Sequence, residues 1–145
     1  MDARPIGIFD SGMGGVSLLR DARMLLPTEN FIYYGDNLNA PYGDRTEEEI
    51  LALTENSADF LLQLGVKALV IACNTATSAS INVLRKKLDV PVISVEPAIK
   101  PACEIPGDGK IFMLATAATT RLARYRALQE RMPDPQRVLN FGING

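Results

Sequence analysis

Four short apolar runs alternate with longer amphipathic segments, and that alternation constrains the fold more than any other feature. The runs are Ile6-Gly7-Ile8-Phe9, Phe31-Ile32-Tyr33-Tyr34, Leu69-Val70-Ile71-Ala72 and Val90-Pro91-Val92-Ile93-Ser94-Val95. Between the first two, Val16 to Leu26 gathers Leu18, Leu19, Ala22, Leu25 and Leu26 on one helical face. Thr46-Glu47-Glu48-Glu49 has the pattern of a capping box, in which the Thr46 hydroxyl and the Glu49 carboxylate satisfy each other's backbone amides. Ile50, Leu53, Ser57, Phe60, Leu61 and Leu64 follow as a helical stripe, which Gly65 is placed to end. Ser78 to Leu88 reads as a third helix, Lys110 to Ala115 as a fifth strand and Thr119 to Arg131 as a further helix. Strands alternating with helices predict right-handed parallel crossovers, so the expected class is α/β, a parallel β-sheet flanked by helices.

Composition narrows the function. Hydrophobic residues make up 47% and charged residues 22%, a globular balance that argues against disorder. A net charge of -2 offers no electrostatic footprint for nucleic acid. Arg121, Arg124, Arg126 and Arg131 recur at near-helical spacing and read as a solvated helix face. No run reaches the ~18 consecutive apolar residues of a membrane span. Met1-Asp2-Ala3-Arg4-Pro5 also lacks the basic start and apolar stretch of a secretory signal. A cytoplasmic location is expected, with Cys73 and Cys103 as free thiols. Without histidine, CxxC or HExxH spacing, no metal site is expected.

Loops that follow strand ends lie on one edge of a parallel sheet, where ligands bind. Here they are Asp10-Ser11-Gly12-Met13-Gly14-Gly15, Asp36 to Arg45, Cys73-Asn74-Thr75 and Glu96-Pro97-Ala98. The glycines of the first loop bring backbone amides to a helix start that favours an anionic group. The Lys-Ser/Thr of a nucleotide phosphate loop is missing. Asp10 reads either as a cap or as a carboxylate that recognises an ammonium group. Pro41-Tyr42-Gly43 reads either as an ordinary turn or as a pocket wall. Cys73 ends an apolar strand and precedes a helix, which suits a reactive thiol at an exposed edge, although buried cysteine is also a common core residue. Asn74 and Thr75 supply donors for a carboxylate. Cys103, after Pro101 and without polar neighbours, reads as structural.

Several segments together resemble the cofactor-independent aspartate/glutamate racemase superfamily, and its glutamate racemases in particular. They are Ile8-Phe9-Asp10-Ser11-Gly12-Met13-Gly14-Gly15, Tyr34-Gly35-Asp36, Pro41-Tyr42-Gly43-Asp44-Arg45-Thr46, Ile71-Ala72-Cys73-Asn74-Thr75-Ala76-Thr77-Ser78 and Val92-Ile93-Ser94-Val95-Glu96-Pro97-Ala98-Ile99-Lys100-Pro101. The resemblance implies flavodoxin-like α/β domains with the active site between them. It also implies interconversion of L- and D-glutamate without cofactor, by two thiols working on opposite faces of the substrate. The D-glutamate would supply peptidoglycan synthesis. By the same resemblance Cys73 is a catalytic acid/base and Asp10 assists it. Asp10, Ser11, Tyr42, Gly43, Asn74, Thr75 and Thr116 contact the substrate.

The resemblance has a gap. The family's second catalytic segment, Cys-Thr-His-Tyr, does not occur, and the flanks of Cys103 do not match it. The expected organisation is a first α/β domain over residues 1–97, lacking its C-terminal return elements. Residues 98–145 would be a linker, with Glu104 to Gly109 as connection, and the beginning of a second domain. The tail Asn140-Phe141-Gly142-Ile143-Asn144-Gly145 ends where another strand could begin. This reads as the N-terminal half of a racemase, inactive alone. The alternatives are a non-catalytic module binding acidic amino acids or a partner protein, an aspartate racemase, or a scaffold fragment with no function of its own. A homodimer is open, although residues 110–145 would obstruct two Cys73 thiols meeting face to face.

Overall fold

The computed structural model describes residues 2–143. Met1, Asn144 and Gly145 lie outside the described residues. The first sheet contains β1 (Ile6–Asp10), β2 (Phe31–Gly35), β3 (Ala68–Ile71) and β4 (Val92–Ser94) in the order β2-β1-β3-β4, all parallel. The connecting helices are α1 (Gly15–Leu25), α2 (Glu47–Gln63) and α3 (Asn74–Lys87). Right-handed crossovers put α1 on one face and α2 and α3 together on the other. On the second face, Phe9, Leu69, Ile71 and Val92 bury against Ile50, Ala58, Leu61, Ile81 and Leu84. The Thr46 capping box forms as expected, with Glu49 N–H donating to the Thr46 hydroxyl at 3.2 Å and Thr46 N–H to the Glu49 carboxylate at 2.8 Å. Gly65 ends the helix at φ +76, a conformation that costs glycine little.

A second, two-stranded parallel sheet pairs β5 (Ile111–Thr116) with β6 (Val138–Ile143), Ile111 opposite Val138. Before it lies α4 (Ile99–Glu104), and between its strands lie α5 (Ala117–Arg121), α6 (Ala123–Glu130) and a 3-10 turn at Pro135–Arg137. Ile99, Tyr125 and Val138 form a small core with Cys103, Ile111, Met113, Leu128 and Met132 packed on it. The structural reading of Cys103 agrees with that position.

Besides one-residue shifts at several ends, four differences from the sequence reading have a physical origin in the structure. α3 starts at Asn74 rather than Ser78, because the Cys73 sulfur caps it by accepting from Ala76 N–H at 3.4 Å. β4 starts at Val92 rather than Val90, since Pro91 has no N–H for the ladder. The Pro91 carbonyl still accepts from Leu69 N–H at 2.9 Å. The helix expected over 119–131 is two helices, broken where Leu122 turns extended at ψ 141. Residues 140–143 of the expected tail belong to β6, which pairs with β5 from Val138 to Ile143.

Candidate active site

The loops after β1 and β3 meet the C-terminal end of β5 and the start of α5 across a cavity of about 360 Å³. Asp10, Ser11, Cys73, Asn74, Thr75 and Thr116 line it, so the structure brings together six of the eight residues singled out by the sequence. Met113, Leu114 and Ala115 of β5, Thr119 of α5 and Ala72 complete the wall.

Cys73 is the N-cap of α3, a 14-residue helix, and its sulfur faces the Ala76 amide. The Ser11 hydroxyl lies 3.1 Å from the same sulfur. The Ala76 amide donates to the sulfur, and either the Ser11 hydroxyl or the thiol can be the donor in the other contact. Cys73 is only 8% exposed, so the thiol lies deeper than the exposed edge position expected from the sequence. Strand β3 ends at Ile71, and the short link through Ala72 turns the sulfur under the wall made by the second sheet.

Asp10 is also buried, and its carboxylate accepts Gly15 N–H at 3.0 Å. It therefore secures the start of α1 while still lining the cavity. Asn74 is exposed, and among the described residues its side-chain amide has no hydrogen-bond partner. It is available to an incoming ligand.

Tyr42 sits elsewhere. Its ring lies in the core beside Phe9, with centroids 6.3 Å apart, and its hydroxyl donates to Asp36 at 2.7 Å. Asn39 gives the same carboxylate two further contacts at 3.0 Å. The Tyr42 side chain thus holds the 36–45 loop rather than lining the cavity. Gly43 is next to the cavity wall, where a Cβ would come within 2.8 Å of Thr116 Cβ. Its carbonyl accepts Ala118 N–H at 3.3 Å, which ties the loop to the second sheet. The fourth loop stays apart, with Glu96 paired to Arg124.

Sequence reasoning missed Thr119. Thr75, Thr116 and Thr119 form a triangle of hydroxyls with sides of 2.9, 3.1 and 3.0 Å. Thr116 also caps α5 by accepting Thr119 N–H at 3.2 Å. The signal was present as the Thr-x-x-Thr spacing at a strand end, a pattern that suits a helix cap. Among the described residues, no three His, Cys, Asp or Glu side chains gather to hold a metal, and no helix is long and apolar enough to cross a membrane.

Burial raises two phenols near the site. Tyr33 is pushed up to about 12, by burial first and then by the Asp10 charge. Burial and the hydrogen bond to Asp36 push Tyr42 well above the ordinary tyrosine range. The folded chain keeps these protons at pH values where an unfolded phenol, near 10, loses them. Their stabilisation is therefore fully present below about pH 10 and declines as pH rises toward 12. The urea midpoint should hold steady through neutral pH and fall across that window. Tyr33→Phe should make the fall shallower, and an unchanged slope would contradict this assignment.

The Asp/Glu/Hydantoin racemase family model matches residues 17–138. A glutamate racemase of Clostridium botulinum (strain Kyoto, type A2) is 54% identical over 127 residues, which is 88% of this chain and 49% of the relative. The structure of glutamate racemase from Aquifex pyrophilus superimposes with a TM-score of 0.85 at 34% identity, covering 95% of this chain and 54% of that one. The Escherichia coli glutamate racemase, solved with L-glutamate and the activator UDP-MurNAc-ala, gives a TM-score of 0.85 at 35% identity, covering 96% and 53%. Fold, motifs and family model together define an α/β amino-acid racemase class. The chain belongs to the Asp/Glu/hydantoin racemase family, an isomerase family, and the relatives it matches over most of its length are glutamate racemases. It spans about half the length of those relatives.

Proposed function

We propose that these residues form one side of a glutamate racemase active site, with Cys73 as the proton-transfer group for one face of the substrate. The observation that carries this reading is the setting of the Cys73 sulfur, between the Ser11 hydroxyl and the Ala76 amide on the wall of a cavity that Asp10, Asn74 and Thr75 also line. The thiolate takes the α-proton, and the electron pair of the broken C–H bond moves toward the substrate carboxylate. Asn74 and the amides at the start of α3 are placed to stabilise that charge. Asp10 faces the ammonium group, and the threonine hydroxyls hold the far end of the substrate. A second thiol on the opposite face returns a proton to the planar carbon, so inversion needs two bases and no cofactor. Cys103, in the second core, is not placed for that part. The cellular role that follows is supply of D-glutamate for peptidoglycan in the cytoplasm. We assign residues 1–97 to a first α/β domain and 98–145 to the linker and start of a second, with the cavity between them.

Alkylation by iodoacetate tests the site. Cys73 should react faster than Cys103, and saturating glutamate should protect Cys73 while leaving Cys103 unchanged. Aspartate, one methylene shorter, should protect less well. Reaction of Cys103 first, or no protection by glutamate, would contradict the assignment.

A further inference from the structure

Tyr33 takes no part in the cavity wall, yet it reaches the site from beneath. It stands on β2 opposite Ile8 of β1. Its ring is clasped between two glycines. A Cβ at Gly15 would come within 3.2 Å of Tyr33 Cε2, and one at Gly35 within 3.3 Å of Cε1. The hydroxyl at the tip of the ring donates to the Gly12 carbonyl at 2.8 Å. The same hydroxyl lies 3.5 Å from Asp10 Oδ2. With its pKa pushed up to about 12, by burial first, the phenol keeps its proton at neutral pH and remains a donor.

These contacts decide which oxygen of Asp10 is free. The last torsion of an aspartate is soft, so its neighbours set the orientation of the carboxylate. Gly15 N–H donates to Oδ2 at 3.0 Å, and the Tyr33 hydroxyl stands beside that same oxygen. Oδ1 carries no hydrogen bond among the described residues, and Asp10 lines the cavity. We propose that Tyr33 is a positioning residue, which pins the Gly12 carbonyl and braces Asp10 Oδ2 so that Oδ1 is presented to the ammonium group of an amino-acid ligand. The hydroxyl has one proton, and the shorter contact directs it to Gly12. Tyr33 therefore acts on Asp10 by fixing the loop and by filling the space beside Oδ2. The proposal rests on the racemase reading for its ligand and on the loop geometry for the bracing.

Glutarate, which has both carboxylates of glutamate and no amino group, supplies the test. The concentration of each ligand that halves alkylation of Cys73 by iodoacetate is compared. In the unaltered chain glutamate should act at about tenfold lower concentration than glutarate, the scale of one charge-assisted hydrogen bond. Tyr33→Phe keeps the ring and the far-ultraviolet circular dichroism. It should shrink the advantage of glutamate by about threefold or more and leave the glutarate value unchanged. Asp10→Asn should erase the advantage, and Tyr33→Phe added to it should change nothing further, because the hydroxyl works through that carboxylate. The bracing is also read without ligand. Gly15 N–H should exchange about fivefold faster or more in Tyr33→Phe, while Ala72 N–H, bonded to the Phe9 carbonyl at 2.7 Å, keeps its rate. The proposal is overturned by an equal loss of protection for both ligands, by an unchanged ratio, by a further fall in the double variant, or by exchange that quickens at both amides or at neither. Absence of protection by glutamate in the unaltered chain would defeat the racemase reading and with it the ligand named here, while Gly15 exchange would still decide whether Tyr33 holds Asp10.

Discussion

L-Glutamate incubated with the purified 145-residue chain should keep its circular dichroism signal, the result expected if proton transfer at both faces of the substrate needs two thiols. The sequence holds two cysteines, and only Cys73 lines the cavity. A single thiol serves one face of the α-carbon and leaves the other without a proton donor. Loss of a positioned acid or base typically costs about 10²–10⁴-fold. The cavity is also bordered by the uncovered β5–β6 face, so water reaches the place where charge develops and weakens its stabilisation. The contrary result is turnover by mass-verified chain that disappears in Cys73→Ser. It would show that these residues suffice.

Gly35→Ala should destabilise the fold and disturb the site together. A Cβ at Gly35 would lie 2.4 Å from the Gly12 carbonyl oxygen, a backbone atom that no side-chain rotation can move away. That carbonyl also accepts the Tyr33 hydroxyl at 2.8 Å, so pushing it outward strains a second contact. Overpacking of this kind costs about 1–3 kcal/mol. The displaced loop carries Ser11, whose hydroxyl sits 3.1 Å from the Cys73 sulfur. The expected outcome is a lower urea midpoint and slower alkylation of Cys73. A variant with the wild-type midpoint would show that the β2 end and the first loop are looser than this packing implies.

Much of this was legible in the sequence, for identifiable reasons. The apolar runs at Ile6, Phe31 and Leu69 gave the parallel sheet, because buried strands need little beyond continuous hydrophobicity. The Thr46 capping box and Gly65 gave the ends of α2, because caps act over three or four residues. Cys73, Asp10 and Ser11 could be placed together because strand ends of a parallel sheet share an edge. What the sequence could not show depended on contacts across long separations. Thr75 meets Thr116 and Thr119 only because the second sheet packs onto the first. The depth of Cys73 depends on the same packing. Tyr42 looked like a pocket wall, but its hydroxyl is drawn into the core by Asp36, a partner that spacing alone does not reveal. β6 carries Asn140 and Gly142, which weaken a strand pattern, yet its backbone pairs with β5 from Val138 to Ile143.

Solvent deuterium entering the α-carbon of glutamate tests the role of Cys73 most directly. Each enantiomer is incubated separately in heavy water with the chain, and its α-proton is followed by magnetic resonance. One enantiomer should exchange slowly while the other does not, and Cys73→Ser should lower that exchange by about 10²–10⁴-fold. Exchange that survives in Cys73→Ser, equal exchange of both enantiomers, or none from either would contradict the assignment of Cys73 as the base for one face.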